Sequence, residues 1–273
     1  MALAKAGFVL GIKPLSILRP HEEIIPEHVE RLVAEMKRDG VQKDPIIIDQ
    51  DSSTVLDGMH RLAAFGSLRI ENAVCCSVDY SSRAVTLGRW ARVYKVAAGD
   101  SIPGFLGRRG ITRRVSLAVA FDALENRDTG FAVITSDAAY MPEGRSELAD
   151  AIAEIEEFDG RSKERGWERS FVPDDEIDVP LQSGRNVVLI TRRLMKDEVV
   201  AAARSGKLFP CKTSMHRIDP RPVAVDFPID RLNGATSKTL ARELEGRSGR
   251  LLPSNSTYEG RTYKERLLLL DQD

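Results

Sequence analysis

Residues 12–80 switch between two hydrophobic periodicities, and this switching limits the possible folds more than any other feature of the sequence. Val29, Leu32, Val33 and Met36 recur at the spacing of one helix face. Short β-branched runs follow, separated by polar turn residues. The order helix, strand, strand, helix, strand predicts a mixed α/β (α+β) unit.

The strands and the second helix of this segment are placed by composition. Residues 45–49 and 54–56 are apolar runs on either side of a polar turn at 50–53, so we expect them to pair as a hairpin. A helix is expected directly after the second strand, over residues 58–65. The apolar run at 73–78 is expected to form a third strand.

The second half of the chain carries weaker signals. Apolar runs predict strands at residues 131–135, 186–191 and 223–227, and a helix is expected over 194–205. The strongly charged stretch at residues 144–178 has one helical stripe of apolar residues. It is expected to continue into a mobile loop at 160–169.

Composition excludes several classes of protein. The chain has 273 residues with 40 basic and 41 acidic side chains, and this near-zero balance argues against a dedicated nucleic-acid-binding protein. No apolar run approaches the ~18–20 residues of a membrane span, and the first ten residues are too short and too weakly basic for a signal peptide. Three cysteines, two of them adjacent, match neither a disulfide framework nor zinc-ligand spacing. We therefore expect a cytoplasmic protein with reduced thiols, in which Cys75 and Cys76 are buried on a strand.

A small basic cluster lies at residues 107–114, with arginines at Arg108, Arg109, Arg113 and Arg114. Such a cluster is most often a solvated surface, and we expect that here. A patch that contacts nucleic acid is the alternative.

The first of three polar clusters is the P-H-E-E run at residues 20–23, directly before the first helix. Acidic side chains there can interact with the positive end of the helix dipole. Alternatively, Glu22 is a carboxylate at a loop end, available as a general base or as an indirect anchor for Mg²⁺. The residues alone leave both interpretations open.

The second cluster is the D-G-M-H-R run at residues 57–61, between a predicted strand and a predicted helix. Gly58 allows close approach to the backbone, and the amide groups that follow point out of the helix N-terminus, which suits an anion. His60 and Arg61 add donors for phosphate oxygens, and Asp57 places a carboxylate beside them. An N-cap aspartate followed by a turn glycine is the structural alternative.

The third cluster spans residues 209–217 and follows the helix that ends near Gly206. Lys212, Thr213, Ser214 and His216 bring a cation, two hydroxyls and an imidazole into one short loop. Such a loop can hold a small anionic group, a carboxylate or a phosphate. A polar turn capped by hydroxyls is the alternative interpretation.

Together these runs resemble a known group. Residues 57–61, preceded by the apolar run at 45–48 and followed by the strand at 73–80, resemble the phosphate-binding turn of the ParB N-terminal/sulfiredoxin superfamily. The H-E run at residues 20–22 and the G-K-L-F-P-C-K-T-S-M-H run at 206–216 are similar to elements of the free serine kinases of that superfamily, both the ADP-dependent archaeal enzyme and the siderophore-pathway enzyme. The R-P pair at residues 221–222 and the strand expected after it continue the likeness. It covers roughly residues 12–235, with a divergent middle.

The resemblance implies roles for individual residues. It places Glu22 and Asp57 at the positions of essential catalytic carboxylates. It places Gly58, His60 and Arg61 at the nucleotide phosphates, where we expect the Met59 amide to donate as well. It places Ser214, His216 and Trp90 at the amino acid, and we expect Lys212 and Thr213 to help orient it.

Departures from the family pattern bear on specificity. Cys211 stands where the family has proline, and Ser214 where it has threonine, which keeps the hydroxyl and widens the pocket by a methyl group. Met59 occupies the position of the sulfiredoxin cysteine and cannot perform thiol chemistry. Residues 100–200 contain no convincing helix-turn-helix, which argues against a ParB partition protein.

The resemblance therefore implies a kinase of two lobes. A ParB-like nucleotide-binding lobe is expected over residues 1–100, and a second α/β lobe over 101–273 that contributes the substrate loop at 207–217. The active site is expected in the cleft between them. The substrates implied are ADP or ATP and a free hydroxy amino acid, most simply L-serine. Mg²⁺ is expected on the nucleotide phosphates, with Asp57 as the one candidate protein ligand.

Two alternatives to this function stay open. One is a non-catalytic ParB-like regulator that binds a nucleotide and DNA. The other is a kinase for a different hydroxy amino acid in a specialised pathway. Neither a membrane nor nucleic acid is expected as a partner of the serine kinase.

Overall fold

The computed structural model describes residues 7–106, 111–233, 244 and 247–270. The helices of the described residues are α1 (Pro26–Asp39), α2 (Met59–Ser67), α3 (Ile102–Leu106), α4 (Leu117–Glu125), α5 (Leu148–Glu164), α6 (Asp178–Leu181) and α7 (Lys196–Ser205). The strands of the first third are β1 (Phe8–Pro14), β2 (Val41–Gln42), β3 (Ile46–Asp49), β4 (Val55–Asp57), β5 (Asn72–Val78), β6 (Val85–Gly88) and β7 (Trp90–Lys95). The middle strands are β8 (Arg113–Val115), β9 (Phe131–Ile134), β10 (Ala139–Met141), β11 (Glu168–Pro173) and β12 (Asn186–Thr191). The last strands are β13 (Met215–Ile218), β14 (Arg221–Val223), β15 (Phe227–Pro228), β16 (Gly249–Leu252), β17 (Ser256–Tyr258), β18 (Arg261–Tyr263) and β19 (Leu267–Leu270).

The chain forms two compact units. The described residues of unit 1 are those up to Thr86, Lys196–Cys211 and those from His216 onward; unit 2 comprises Leu87–Met195 and Lys212–Met215. Unit 1 is therefore discontinuous in sequence, whereas the predicted boundary at residue 100 gives two continuous segments. The reason is pairing at long range within unit 1, because β15 pairs with β2.

The main sheet of unit 1 has the order β1-β5-β3-β4, with β3 parallel to β5 and antiparallel to the edge strand β4. The hairpin predicted for residues 45–56 is confirmed by the β3–β4 pairing. Cys75 and Cys76 lie fully buried on β5, as expected for small apolar residues, and all three cysteines are free thiols. The cytoplasmic location stays a prediction.

Helix α1 forms where the apolar periodicity predicts it. Pro26 occupies the first turn, where its missing N–H is not required, and Val29 and Met36 are buried. Gly40 ends the helix in the left-handed conformation at φ 69°, which a glycine adopts without steric cost. Helix α2 starts immediately after β4, so the turn between them is only Gly58.

The C-terminal part of unit 1 corrects one prediction. The strand expected over residues 223–227 is two short strands, β14 and β15, which pair with different partners. The chain between them cannot stay extended, because Ala224 and Asp226 both have positive φ. The last apolar run forms β19 at the centre of a three-stranded sheet, β14-β19-β16.

Unit 2 is built on an antiparallel sheet with the order β11-β7-β12-β9-β10-β8. Its faces carry separate apolar clusters, one around Tyr94 and Phe158 and the other around Ile134 and Val188. The strands expected at residues 131–135 and 186–191 are confirmed as β9 and β12.

The mobile loop expected at residues 160–169 is not what the structure shows. Helix α5 continues through the charged segment to Glu164, and β11 begins at Glu168. The short connection is fixed by Trp167, which is buried, stacks on Phe105 with ring centroids 4.8 Å apart, and donates its indole N–H to Asp100 at 2.6 Å. The charged residues here form the solvent-exposed face of a helix. A high content of charged residues does not by itself distinguish such a face from a loop.

Among the described residues, we find no helix whose length and hydropathy would let it cross a membrane.

Candidate active site

The turn between β4 and α2 has the geometry of an anion-binding site. Gly58 caps the helix with φ 101°, and its carbonyl accepts the first intrahelical bond, from the Leu62 N–H at 2.8 Å. The amides of residues 59–61 therefore precede the first intrahelical donor and point out of the helix N-terminus. A Cβ at position 58 would lie 2.9 Å from Arg61 Nη2. The turn thus requires glycine for its backbone and for the space that the guanidinium occupies.

Asp57 lies between two arginines at this turn. Its Oδ2 accepts a hydrogen bond from Arg61 Nη2 at 2.9 Å and lies 3.2 Å from Arg221 Nη1. Burial by itself would raise the pKa of the Asp57 carboxyl, but the Arg61 and Arg221 guanidinium groups outweigh it and hold the pKa well below its usual range. Asp57 is therefore a carboxylate at neutral pH, and the turn brings two cations and one anion together.

Arg221 is the residue of this site that sequence reasoning missed. It is almost fully buried on β14, and besides Asp57 it pairs with Glu265 at 2.6 Å and donates to the His216 carbonyl at 2.7 Å. One side chain thus links the turn at Gly58 to the backbone of His216. The R-P pair at residues 221–222 belongs to the family likeness, and that was the signal available in the sequence.

The His-Glu run lies beside β4 in unit 1. Arg19 forms a parallel bridge with Thr54, and His21 Nδ1 lies 2.9 Å from the Val55 carbonyl oxygen. Because the two segments run parallel, Glu22 and Asp57 each stand three residues beyond the bridged pair, at the same end of neighbouring segments. The structure therefore brings the two predicted catalytic carboxylates to one edge.

The same run is paired on its other side with the start of the late motif. Glu22 bridges Phe209, the Phe209 N–H donates to the His21 carbonyl at 2.8 Å, and the Glu23 N–H donates to the Phe209 carbonyl at 2.9 Å. Glu22 is buried, with 4% of its surface exposed. These backbone bonds explain how two runs almost 190 residues apart in sequence belong to one site.

The structure shows which ring nitrogen of His60 can act as a donor, which the sequence does not predict. Its Nε2 accepts a hydrogen bond from the Ile25 N–H at 3.0 Å, and its ring lies 5.4 Å from that of His28. A neutral imidazole that accepts at Nε2 carries its proton on Nδ1. Nδ1 is therefore the nitrogen through which His60 can donate to a phosphate oxygen.

A cavity of about 130 Å³ adjoins the turn at Gly58 in unit 1. It is lined on one side by Leu32 and Met36 of α1, and Arg61 reaches its wall. Its remaining wall is predominantly acidic, with Glu35, Asp39, Asp44 and Glu259 beside Lys43. The cavity offers an apolar surface next to carboxylates, directly beside the residue expected to hold phosphate.

The middle of the late motif belongs to unit 2. Lys212 adopts a positive φ of 59°, and its ammonium lies 4.5 Å from the centre of the Trp90 ring. Arg92, two residues further along β7, donates to the Lys212 carbonyl at 3.3 Å. Thr213 and Ser214 are buried. The predicted substrate residues Trp90 and Lys212 are thus in contact, and Arg92 is a second residue that sequence reasoning missed.

The late motif ends at His216, which is again in unit 1. Its Nε2 lies 2.8 Å from the Tyr80 hydroxyl, and its ring meets the edge of His21 at 5.3 Å. Burial lowers the pKa of both imidazoles, that of His21 to about 4 and that of His216 well below its ordinary value. Both histidines are therefore neutral at physiological pH.

The basic cluster at residues 107–114 is only partly described. Arg108 and Arg109 lie outside the described residues. Arg113 and Arg114 lie on the edge strand β8, and Arg114 pairs with Asp137 at 2.9 Å, with both side chains exposed. This part of the cluster is a solvated surface, as expected.

Comparisons with known proteins find L-serine kinases that are similar to most of the chain. No protein-family model matches the chain. It is 21% identical over 222 residues to an ADP-dependent L-serine kinase from Thermococcus kodakarensis, covering 80% of this chain and 90% of that protein. It is 26% identical over 227 residues to an ATP-dependent L-serine kinase from Staphylothermus marinus, covering 79% and 88%.

A shorter match links the chain to ParB-like proteins. It is 36% identical over 89 residues to a ParB-like protein from Sulfolobus acidocaldarius, and this match spans 33% of the chain and 43% of that relative. The relative is therefore matched over less than half of its own length.

Solved structures show the same fold. A free serine kinase variant in complex with AMP superimposes with a TM-score of 0.68 at 20% identity, covering 82% of this chain and 94% of that one. A C-terminally truncated SbnI from Staphylococcus aureus gives a TM-score of 0.68 at 14% identity, covering 89% and 95%. The fold is the ParB-like fold of the free serine kinase and SbnI, and the predicted resemblance is confirmed. Within that class, the chain is similar over most of its length to the ADP- and ATP-dependent L-serine kinases.

Proposed function

We propose that this protein is a kinase that transfers a phosphoryl group from ADP or ATP to the hydroxyl of a free amino acid, with L-serine as the acceptor and O-phospho-L-serine as the product. The observation that carries the proposal is the phosphate-binding turn at Gly58, with Asp57 held between Arg61 and Arg221 and the His-Glu run at its side. The similarity to L-serine kinases over about four fifths of the chain supports it.

Binding of the nucleotide phosphates is assigned to the start of α2. The amides of Met59 and His60 and the guanidinium of Arg61 supply donors in a fixed arrangement, and phosphoryl transfer depends mainly on such positioning and charge neutralisation. The cavity beside Arg61 is the place for the nucleoside. Its acidic wall suits the amino and hydroxyl donors of a base and a ribose.

Proton transfer is assigned to Glu22. When the serine hydroxyl attacks phosphorus, the new O–P bond forms as the bond to the leaving phosphate oxygen breaks, and the hydroxyl proton must go to a base. The two arginines that lower the pKa of Asp57 make it a poor proton acceptor. Glu22 therefore takes the proton, and Asp57 orients Arg61 and Arg221.

The residues of the turn are compatible with a Mg²⁺ ion that is bound by the nucleotide phosphates and not directly by the protein. Asp57 is already engaged by two guanidinium groups, and the described residues contain no group of three potential metal-ligating side chains. A Mg²⁺ ion would therefore be held by phosphate oxygens and waters, and when bound it would neutralise charge on the transferred phosphoryl group.

Orientation of the amino acid is assigned to the late motif. Lys212, Thr213, Ser214 and His216 supply the donors for its carboxylate and for the phosphorylated product, and Trp90 packs under the Lys212 side chain. Ser214 lacks the methyl group of the family's threonine, which widens the pocket. Hydroxy amino acids larger than serine are therefore included in the test below.

The test is a panel of incubations of the purified chain with Mg²⁺, with ADP or ATP in separate reactions, and with single hydroxy amino acids. Mass spectrometry identifies any acceptor that gains one phosphate. Phosphoserine is expected, and the donor that supports it is read from the same panel. Glu22→Gln and Asp57→Asn are expected to abolish turnover and to leave the circular dichroism spectrum unchanged, and near-normal activity in both would remove the mechanism.

The match to a ParB-like protein favours one other candidate, a non-catalytic regulator that binds a nucleotide and DNA. It predicts nucleotide binding by calorimetry without any phosphorylated product, together with salt-dependent retention of DNA. A product with a different hydroxy amino acid would instead keep the kinase and change its acceptor.

A further inference from the structure

Tyr80 and His216 form a buried hydrogen-bonded pair within unit 1. The Tyr80 hydroxyl lies 2.8 Å from His216 Nε2, and 3% of the tyrosine and 7% of the histidine are exposed. In the part of the chain that the structure describes, this is the one hydrogen bond of the Tyr80 side chain. Tyr80 follows β5 and lies outside the three polar clusters by which the site is recognised in the sequence.

Both members of the pair are held in place from other directions. Lys196 of α7 donates to the Tyr80 carbonyl at 2.6 Å, and its ammonium lies 5.2 Å from the centre of the Tyr80 ring. Arg221 donates to the His216 carbonyl at 2.7 Å. His21 packs edge-on against the imidazole at 5.3 Å. The two carbonyl hydrogen bonds hold the backbone of each residue, and turning either ring would break its contact with Lys196 or His21.

The direction of the hydrogen bond follows from the chemistry of the two groups. Burial, together with the nearby Asp49 charge, raises the pKa of Tyr80 far above neutrality, so its hydroxyl keeps the proton. A buried hydroxyl proton needs an acceptor, and among the described residues His216 Nε2 is the acceptor within reach. The neutral His216 ring has one N–H, which must then be at Nδ1.

We propose that Tyr80 is a positioning residue for His216: by donating to Nε2 it holds the imidazole proton on Nδ1, which donates to an anionic oxygen of the bound substrate. A carboxylate or a phosphoryl oxygen has this acceptor chemistry. The substrate end of the proposal rests on the proposed kinase function, whereas the tautomer does not. Loss of the tyrosine hydroxyl would free Nε2 to carry the proton and would remove the proposed Nδ1 donor to the substrate.

The experiment measures the tautomer directly. The full chain is labelled with ¹⁵N-histidine, and long-range ¹H–¹⁵N correlation spectra distinguish protonated from unprotonated ring nitrogens. With only four histidines in the sequence, the His216 signals are identified by their absence in His216→Gln. The expected result is a protonated Nδ1 and an unprotonated Nε2 in the wild type, and loss of this single tautomer in Tyr80→Phe.

Tyr94→Phe is the matched control. It removes another buried tyrosine hydroxyl, which donates to Asp159 at 2.6 Å in unit 2. It should leave the His216 signals unchanged. A proton on Nε2 in the wild type overturns the proposal, whether or not Tyr80→Phe folds. An unchanged tautomer in a folded Tyr80→Phe overturns it as well.

Kinetics give the second measurement. In Tyr80→Phe the KM for the amino acid is expected to rise about tenfold with a smaller change in kcat, the scale of one hydrogen bond. If the wild type forms no phosphorylated product, the kinase assignment fails and the spectra still decide the tautomer. If the wild type is a kinase but its His216 carries the Nε2 proton, the positioning role alone is wrong.

Discussion

Asp57 and Arg221 stand far apart in the sequence, yet their side chains meet at 3.2 Å between Oδ2 and Nη1. Asp57 ends β4, and Arg221 begins β14. The same guanidinium holds Glu265 and the His216 carbonyl. This pair therefore ties the turn at Gly58 to the end of the late motif, and Arg221 acts together with Arg61 to keep Asp57 a carboxylate.

Replacement of Arg221 by methionine should destabilise the fold strongly. It leaves the buried side chain of Glu265 without its cation, and removing one member of a buried ion pair costs about 3–5 kcal/mol of the free energy of unfolding. Urea unfolding measures the loss. Arg266→Ala is the control, because its pair with Asp219 is exposed and should contribute far less to the free energy of unfolding. Equal effects in the two variants would contradict the assigned importance of Arg221.

Replacement of Arg61 by alanine should weaken nucleotide binding. A charge-assisted hydrogen bond to phosphate is worth about 1.5–3 kcal/mol, so calorimetry should show the affinity for ADP or ATP reduced by that amount. Arg114→Ala removes an exposed arginine of unit 2 and should leave the affinity unchanged. An unaltered dissociation constant in Arg61→Ala would show that the turn does not hold the phosphates.

Gly58 and Gly66 lie before and within the same helix and should respond oppositely to alanine. At Gly58 the φ of 101° and the Arg61 side chain 2.9 Å from the added Cβ both oppose the change, so Gly58→Ala should cost at least about 1–2 kcal/mol and lower nucleotide affinity. At Gly66 the Cβ meets nothing within 4 Å, and Gly66→Ala should stabilise α2 by about 0.5–1 kcal/mol. Thermal unfolding compares the two. A harmless Gly58→Ala would show that the turn does not need its left-handed backbone.

Mild acid should destabilise the protein through its buried histidines. The pKa of His21 is lowered by burial from 6.5 to about 4, so the unfolded chain binds this proton more readily than the folded one. The stabilising contribution is complete above pH 6.5 and is lost as the pH falls towards 4. His21 alone should remove about 2 kcal/mol between pH 7 and pH 5, and His216 acts in the same direction. Urea unfolding at the two pH values measures the loss, and His21→Gln should show a smaller one; an equal loss in that variant would contradict the assignment.

Local chemistry made much of unit 1 predictable. The periodicity of α1 and its end at Gly40, the β3–β4 hairpin and the start of α2 after Gly58 all depend on residues close together in the chain. The phosphate-binding turn was recognisable for the same reason, because its glycine, donors and carboxylate are consecutive. The prediction of a mobile loop at residues 160–169 was wrong, because the burial of Trp167 that fixes this connection depends on tertiary packing.

The sequence by itself determined the elements around the turn, the runs that carry the candidate catalytic and substrate residues, and the class of protein that they resemble. The tertiary structure alone decided the charge state and the hydrogen-bond partners of these side chains. It pairs Arg221 with Asp57, lets His60 Nε2 accept the Ile25 N–H, and places the Tyr80 hydroxyl beside His216. The physical reason is that charge state and hydrogen-bond direction depend on burial and on partners brought together by folding, whereas helix and strand signals depend on near neighbours.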